Sequence, residues 1–281
     1  MNRSLKRILL VVFAIILIPL LWVGGNILYA TLTDFQPKEV TELSALNTDG
    51  APKPLQDSTY TLLIWNIGYG GLGAEEDFWF DGGETVRAPK ERVAANLNGI
   101  YATVEDAAGE FDFILLQEVD TSSKRSWHTN EMKQIAERLG DYNYTFAPNY
   151  LVNFLAMPLT NPMGKVNSGL VTFSKFTPTE NKRYQFPGNY SWPKRIYFLD
   201  RCFLLQRYPT ATGKDLVVIN THNSAYDDGT LKATQMAYLK DILVEEYERG
   251  NYVVVGGDWN QLPPYFDNNT FARVPNDTYD Q

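Results

Sequence analysis

Two stretches of this chain repeat one pattern. In the first, the apolar strand Tyr60 to Asn66 is followed by a glycine-rich loop, a helix and a second apolar strand, Phe111 to Gln117, with Glu118 at its end. In the second, Leu216 to Asn220 runs into Thr221-His222-Asn223. A helix follows over Leu231 to Arg249, and Tyr252-Val253-Val254-Val255 then leads into Gly256-Gly257-Asp258-Trp259-Asn260. Spacing identifies the helices. Val93, Leu97, Ile100 and Val104 make one apolar stripe after Pro89, a residue suited to a first helical position. Met236, Leu239, Leu243 and Tyr247 make the other. Gly109 and Gly250 close them. Three successive valines suit a strand covered on both faces.

Polar side chains collect where these strands give way to loops, the expected place for chemistry on a sheet scaffold. They are Asn66, Glu118, His222, Asp258 and Asn260. In extended chain, residues two apart point to one side, so Asp258 and Asn260 share one small space. Such a pair suits a water, a metal ion or a phosphate oxygen; it also suits a β-turn with an Asx cap. Glu118 reads equally as a helix cap or ion-pair partner, His222 as a hydrogen-bonded turn histidine, and Asn66 as an Asx turn. Taken as a set, they are hard, oxygen-rich and carry one imidazole, which favours Mg²⁺, with Mn²⁺ as a substitute, over zinc. No Ser or Cys nucleophile with a partnered base accompanies them, so attack by metal-associated water is the natural chemistry.

Other features carry less. Gly68-Tyr69-Gly70-Gly71-Leu72-Gly73 lacks the spacing and the following helix of a dinucleotide fingerprint. Phe78, Trp79 and Phe80 read as a substrate wall or as loop packing. Further strands are expected over Tyr142 to Phe146, Gly169 to Phe173 and Ile196 to Gln206, with a short helix through Met132, Ile135 and Leu139. His128 reads as a solvated cap. The single cysteine, Cys202, sits beside Phe203, Leu204 and Leu205; it reads as an inert buried thiol and allows no intrachain disulfide.

The N-terminus sets a different constraint. Ile8 to Ala30 is a nearly unbroken apolar run, long enough to cross a bilayer and tolerant of Pro19. Arg3, Lys6 and Arg7 place that end in the cytoplasm and the body outside it. A cleaved signal peptide is the competing reading, but Leu28-Tyr29-Ala30 is a poor cleavage site. The expected organisation is a basic end (1–7), a transmembrane anchor (8–30), a polar linker (31–58) and one domain (59–281). Setting aside those three basic residues, the remainder holds 22 Lys and Arg against 33 Asp and Glu, a net charge of −11. That balance disfavours, without excluding, a partner gripped as a polyanion such as nucleic acid. The 44% hydrophobic content suits a globular domain with a sizeable core.

The segments WNIGYG, LLQEVD, NSGLVTFS, VINTHN and VVVGGDWNQLP resemble, in order, the motif blocks of the endonuclease/exonuclease/phosphatase (DNase I-like) superfamily. The resemblance spans Tyr60 to Pro263. It implies an α/β fold, a four-layered sandwich of two mixed sheets with outer helices, and Mg²⁺-dependent hydrolysis of phosphate esters. It further implies that Glu118 is the principal metal ligand, with Asn66 near the metal. By the same resemblance His222 contacts phosphate, while Asp258 and Asn260 orient or deprotonate the attacking water and hold the phosphate. Asn167, before the Ser168-Gly169 strand, is a further substrate-contact candidate.

One family element has no counterpart. The pattern ends in a strand bearing an Asp-His dyad, and no histidine follows Asn260. The expectation is a chain lacking its last strand, with little catalysis from residues 1–281 alone. The function expected is that of a membrane-anchored, outward-facing phosphoesterase, nuclease and lipid phosphodiesterase both being open. The alternative is an inactive member that serves as a binding module.

Overall fold

The computed structural model describes residues 3–48 and 50–262. In chain order these form α1 (Arg3–Leu32), β1 (Val40–Glu42), β2 (Leu62–Asn66), α2 (Lys90–Ala107), β3 (Phe113–Asp120) and α3 (Glu131–Leu139). There follow β4 (Asn143–Leu155), β5 (Gly164–Ser174), β6 (Glu180–Gln185), β7 (Cys202–Pro209), β8 (Asp215–His222), α4 (Thr230–Glu248) and β9 (Tyr252–Asp258). The Asn-, Asp- and Pro-rich tail after Leu262 lies outside the described residues.

Alternation within the apolar strands assigns them to layers. In β3, Ile114 and Leu116 join α2 and α3, whereas Phe113 and Leu115 face the other way, toward Tyr208 and Val218. In β8, Val217 and Ile219 pack with Leu239 of α4, whereas Leu216 and Val218 face inward. The result is two mixed sheets packed face to face with helices outside, the expected α/β architecture. One sheet has the order β2-β3-β5-β4, the other β1-β6-β7-β8-β9. The pairs β2·β3 and β8·β9 are parallel and the rest antiparallel. Both parallel pairs are joined by a helix, so the repeat seen in the sequence is two strand–helix–strand crossovers.

Several details depart from expectation. Residues 31–58 are not a free tether: β1 pairs with β6, Leu46 bridges to Tyr144, and Leu55 is buried in the inter-sheet core. Strand β6 is unforeseen because its buried positions are Asn181 and Arg183, not apolar residues. The α4 stripe ends early: Leu239 and Leu243 pack on the core, but its last member does not. Tyr247 is 78% exposed, while Gln235 and Glu246 are buried and hydrogen-bond to Ser224 and Arg207. The expected glycine turn is still strand. A Cβ on Gly256 would come within 2.4 Å of Ile64 in the facing sheet, and one on Gly257 (φ +147°) within 2.0 Å of the Thr221 carbonyl oxygen. The glycines are required by close backbone and sheet approach, not by a bend.

Candidate active site

Parallel pairing brings the ends of β2, β3, β8 and β9 to one end of the sandwich. His222 stands directly opposite Asp258 in the β8·β9 register. In β2·β3 the partner of Asn66 is Gln117, one residue short of the acid. A bulge supplies the difference. The β3·β5 register breaks between Leu116 and Val119, and Glu118 adopts φ +55°. A bulge re-aims a side chain, and a left-handed backbone at a non-glycine residue costs on the order of 1–3 kcal/mol, which the surrounding sheet must hold. Glu118 therefore lies inside β3 and not after it.

Asn66 joins the two sheets. Its Nδ2 donates to Asp258 Oδ2 at 2.7 Å and to Glu118 Oε1 at 3.3 Å, and its Oδ1 accepts from the Gly68 amide at 3.0 Å. The amide is thereby fixed between two carboxylates. Asp258 and Asn260 form an Asx turn: Asp258 Oδ1 accepts from the Asn260 backbone N–H at 2.9 Å. Asn260 Nδ2 donates to the Asn223 carbonyl at 2.8 Å, with Asn260 at φ +50°. The capping and site readings of this pair describe one geometry, since the turn is what holds both side chains at the cavity.

His222 is 1% exposed. Its Nδ1 lies 3.4 Å from Asn149 Nδ2, an amide donor, which leaves the proton on Nε2. Nε2 sits 3.7 Å from Asp258 Oδ2 and 3.9 Å from Glu118 Oε1. Burial, then Arg201 and Arg125, hold the imidazole well below its ordinary pKa. It is a neutral donor, not a cation. Burial raises the pKa of Glu118, against the pull of Arg125 and Arg201.

Two arginines complete the electrostatics. Arg125 is clamped by Asp120 at 2.9 and 3.1 Å, donates to Ser168 Oγ at 3.2 Å and lies 3.6 Å over the Tyr69 ring. Arg201 lines the same cavity, and its buried Nη1 has no partner among the described residues. In the sequence Arg125 carries no signal, and Arg201, inside an apparent strand, reads equally as a phosphate contact or as a strand-edge ion-pair partner. Asn167 stands apart from the other five candidates. Its backbone bonds Ser123 and Thr121, and it is the neighbouring Ser168 that lines the cavity.

The cavity measures about 480 Å³. The polar cluster shares its lining with aromatic and aliphatic side chains, Leu155, Met163 and Leu199 among the latter. Phe80 packs against Tyr226 at 4.8 Å and Phe198 at 5.7 Å, and Tyr190 against Phe198 at 4.6 Å. Phe78, Trp79 and Phe80 thus pack together and line the cavity. His128 is exposed and Cys202 is buried, both away from it.

Among the described residues no three His, Cys, Asp or Glu groups converge as a metal cage. That composition does not fit a zinc site. Two carboxylates lining one cavity do fit an ion that keeps most of its water, as Mg²⁺ does.

The chain matches the Endonuclease/Exonuclease/phosphatase family over residues 63–279. No curated protein matches it. Solved structures with a similar fold include ANGEL2, a 2',3'-cyclic phosphatase, at 16% identity, with 73% of this chain and 54% of that one covered and a TM-score of 0.48. An endonuclease/exonuclease/phosphatase from Beutenbergia cavernae DSM 12333 aligns at 20% identity, covering 75% of this chain and 51% of its own, with a TM-score of 0.48. The human Nocturnin catalytic domain with bound sulfate aligns at 17% identity, 73% and 66% coverage, and a TM-score of 0.46. The chain spans between 51% and 66% of the length of these three. By the match over residues 63–279, it belongs to the endonuclease/exonuclease/phosphatase family.

Proposed function

We propose that this protein is a Mg²⁺-dependent phosphoesterase, anchored by α1 with its domain on the extracytoplasmic side. The observation that carries this reading is the meeting of Glu118 and Asp258, from separate sheets, on the Asn66 amide, beside the His222 Nε2–H and an Arg201 Nη1 without a partner among the described residues.

Hydrolysis of a phosphate diester is slow because an anion repels an anionic nucleophile. Glu118, with Asp258 and Asn66 alongside, would hold Mg²⁺, or Mn²⁺ in its place, and the ion would supply positive charge against the phosphoryl group. The chain's own groups do the rest. Arg201 binds a non-bridging oxygen through a charge-assisted hydrogen bond. His222 donates to a second oxygen through Nε2–H, its orientation set by Asn149. Asp258, whose oxygens are already oriented by Asn66 and the Asn260 amide, positions the attacking water and accepts its proton. Asn260 holds the phosphate beside it. Asn66 keeps the two carboxylates at a fixed separation. The aromatic wall excludes water from the leaving group. The body's net charge of −11 makes nucleic acid the less favoured substrate.

The test is hydrolysis of bis(p-nitrophenyl) phosphate, with Mg²⁺ and with chelator, by the full-length protein, any sequence beyond residue 281 included, since residues 1–281 alone are expected to show little catalysis. Glu118→Gln is expected to lower kcat by roughly 10²–10⁴-fold. Arg201→Met is expected to raise KM by about 10–100-fold. Wild-type rates in chelator, or in Glu118→Gln, would overturn the assignment.

A further inference from the structure

The domain does not hang from α1 on a leash; it is seated on its last turns. Ala30 is buried, and α1 touches β4 and the short helix Lys194–Tyr197. Trp192 Nε1 donates to Thr31 Oγ1 at 3.1 Å, and Asp34 pairs with Arg195 at 3.3 Å. None of the most apolar window of α1 is buried. A helix rises 1.5 Å per residue, so about 20 residues cross the ~30 Å hydrocarbon core. Counted from Ile8, that length is used up near Ile27. The bilayer surface therefore falls at the level where the domain grips the helix.

What the domain presents at that level is the rim of the cavity. The loop that holds Thr31 carries Trp192, 58% exposed, its N–H satisfied and its ring open. Tyr190 and Lys194, on either side, line the cavity, as does Met157, and Leu159 stands two residues beyond Met157. Met157 is 48% and Leu159 59% exposed. Apolar groups this open are a liability in water, whereas a Trp with one polar edge and a Lys with an apolar stem suit the headgroup layer. Lys194 Nζ lies 3.5 Å over the Tyr190 ring, placing a cation at the cavity mouth.

We propose that Trp192, Met157 and Leu159 rest in the headgroup layer of the bilayer that α1 crosses, and that the cavity takes its phosphate ester from a phospholipid of that same bilayer. The substrate half of this inference rests on the phosphoesterase reading above. Water would add across one P–O bond of the headgroup diester, leaving a phosphate monoester and an alcohol that carries the proton. The net charge of −11 beyond the anchor favours a zwitterionic lipid over an anionic one.

The full-length protein, reconstituted in phosphatidylcholine vesicles, provides the test. Brominated acyl chains should quench a component of tryptophan emission that disappears in Trp192→Phe. With Mg²⁺, phosphatidylcholine should be cleaved, and Trp192→Ser should slow that cleavage about tenfold while leaving hydrolysis of soluble bis(p-nitrophenyl) phosphate unchanged. Absence of Trp192-dependent quenching overturns the membrane-facing rim. Cleavage of the soluble ester with phosphatidylcholine untouched overturns the lipid substrate and leaves the phosphoesterase reading standing. Failure to cleave either ester overturns that reading and the lipid substrate with it, while the quenching result still decides the rim.

Discussion

The two strand–helix–strand units reach the same end by different means. In β2-α2-β3 the helix is held by an apolar stripe of Val93, Leu97, Ile100 and Val104, all buried. In β8-α4-β9 the helix packs through Leu239, with Tyr238, Ile242 and Leu243 alongside, and adds buried polar groups. Gln235 exchanges two hydrogen bonds with Ser224, at 2.8 and 2.9 Å, and Glu246 forms a two-pronged pair with Arg207 at 2.7 and 3.0 Å. Each unit still delivers one carboxylate and one neutral donor: Glu118 with Asn66, and Asp258 with His222. The acids arrive differently too. Glu118 needs a bulge and a left-handed backbone, whereas Asp258 arrives in register on a strand kept slim by Gly256 and Gly257. The lesson is that the placement of the site lies in the backbone of the strand ends, and the helices are free to add polar contacts to apolar ones.

The largest break in this comparison comes from the stripes. Leu97→Ala in α2 is expected to cost about 2–5 kcal/mol in denaturant unfolding of the detergent-solubilised protein. Tyr247→Ser at the nominally matching position in α4 is expected to stay within about 0.5 kcal/mol. A reversed order would show that α4 is packed through the full length of its sequence-apparent stripe after all.

A smaller effect separates the units by pH. Hydrogen bonding from Arg207 holds the Glu246 carboxyl below its ordinary value of 4.5. That contribution is present above pH 4.5 and is lost as pH falls through the depressed value. Glu131, at the start of α3 beside the first unit, is the opposite case. Burial, then Asp120, raise its carboxyl well above the ordinary range. Its contribution is present at low pH and is lost as pH rises through that raised value. Amide hydrogen exchange should therefore show α4 loosening first on acidification and α3 first as pH rises. Glu246→Gln should remove the effect of falling pH and Glu131→Gln that of rising pH; exchange that responds equally in both helices would contradict the assignment.

Much of this was legible in the residues. Long apolar runs marked β2, β3, β8 and β9, and the polar residues closing them are the ones that meet. What escaped has a physical reason in each case. Strand β6 buries Asn181 and Arg183, which bond Gln206, Thr145 and backbone carbonyls, so no apolar alternation betrays it. Strand β4 continues through Pro148, a residue that usually ends a strand, and so Asn149, the partner of His222, was not considered. Arg201 looked like one more residue of a strand from Ile196, but the strand starts at Cys202 and a short helical turn precedes it. The bulge at Glu118 is invisible because it arises from pairing with β5, not from its own segment.

The central claim is that Glu118 and Asp258, one from each unit, act as a single site. Calorimetric titration of inorganic phosphate in Mg²⁺, on the full-length protein and on Glu118→Gln, Asp258→Asn and the double variant, tests it directly. The account predicts that each single substitution weakens binding, and that the double variant's loss falls short of the sum of the two single losses by at least about 1 kcal/mol. Strictly additive losses, or phosphate binding that neither substitution changes, would contradict it.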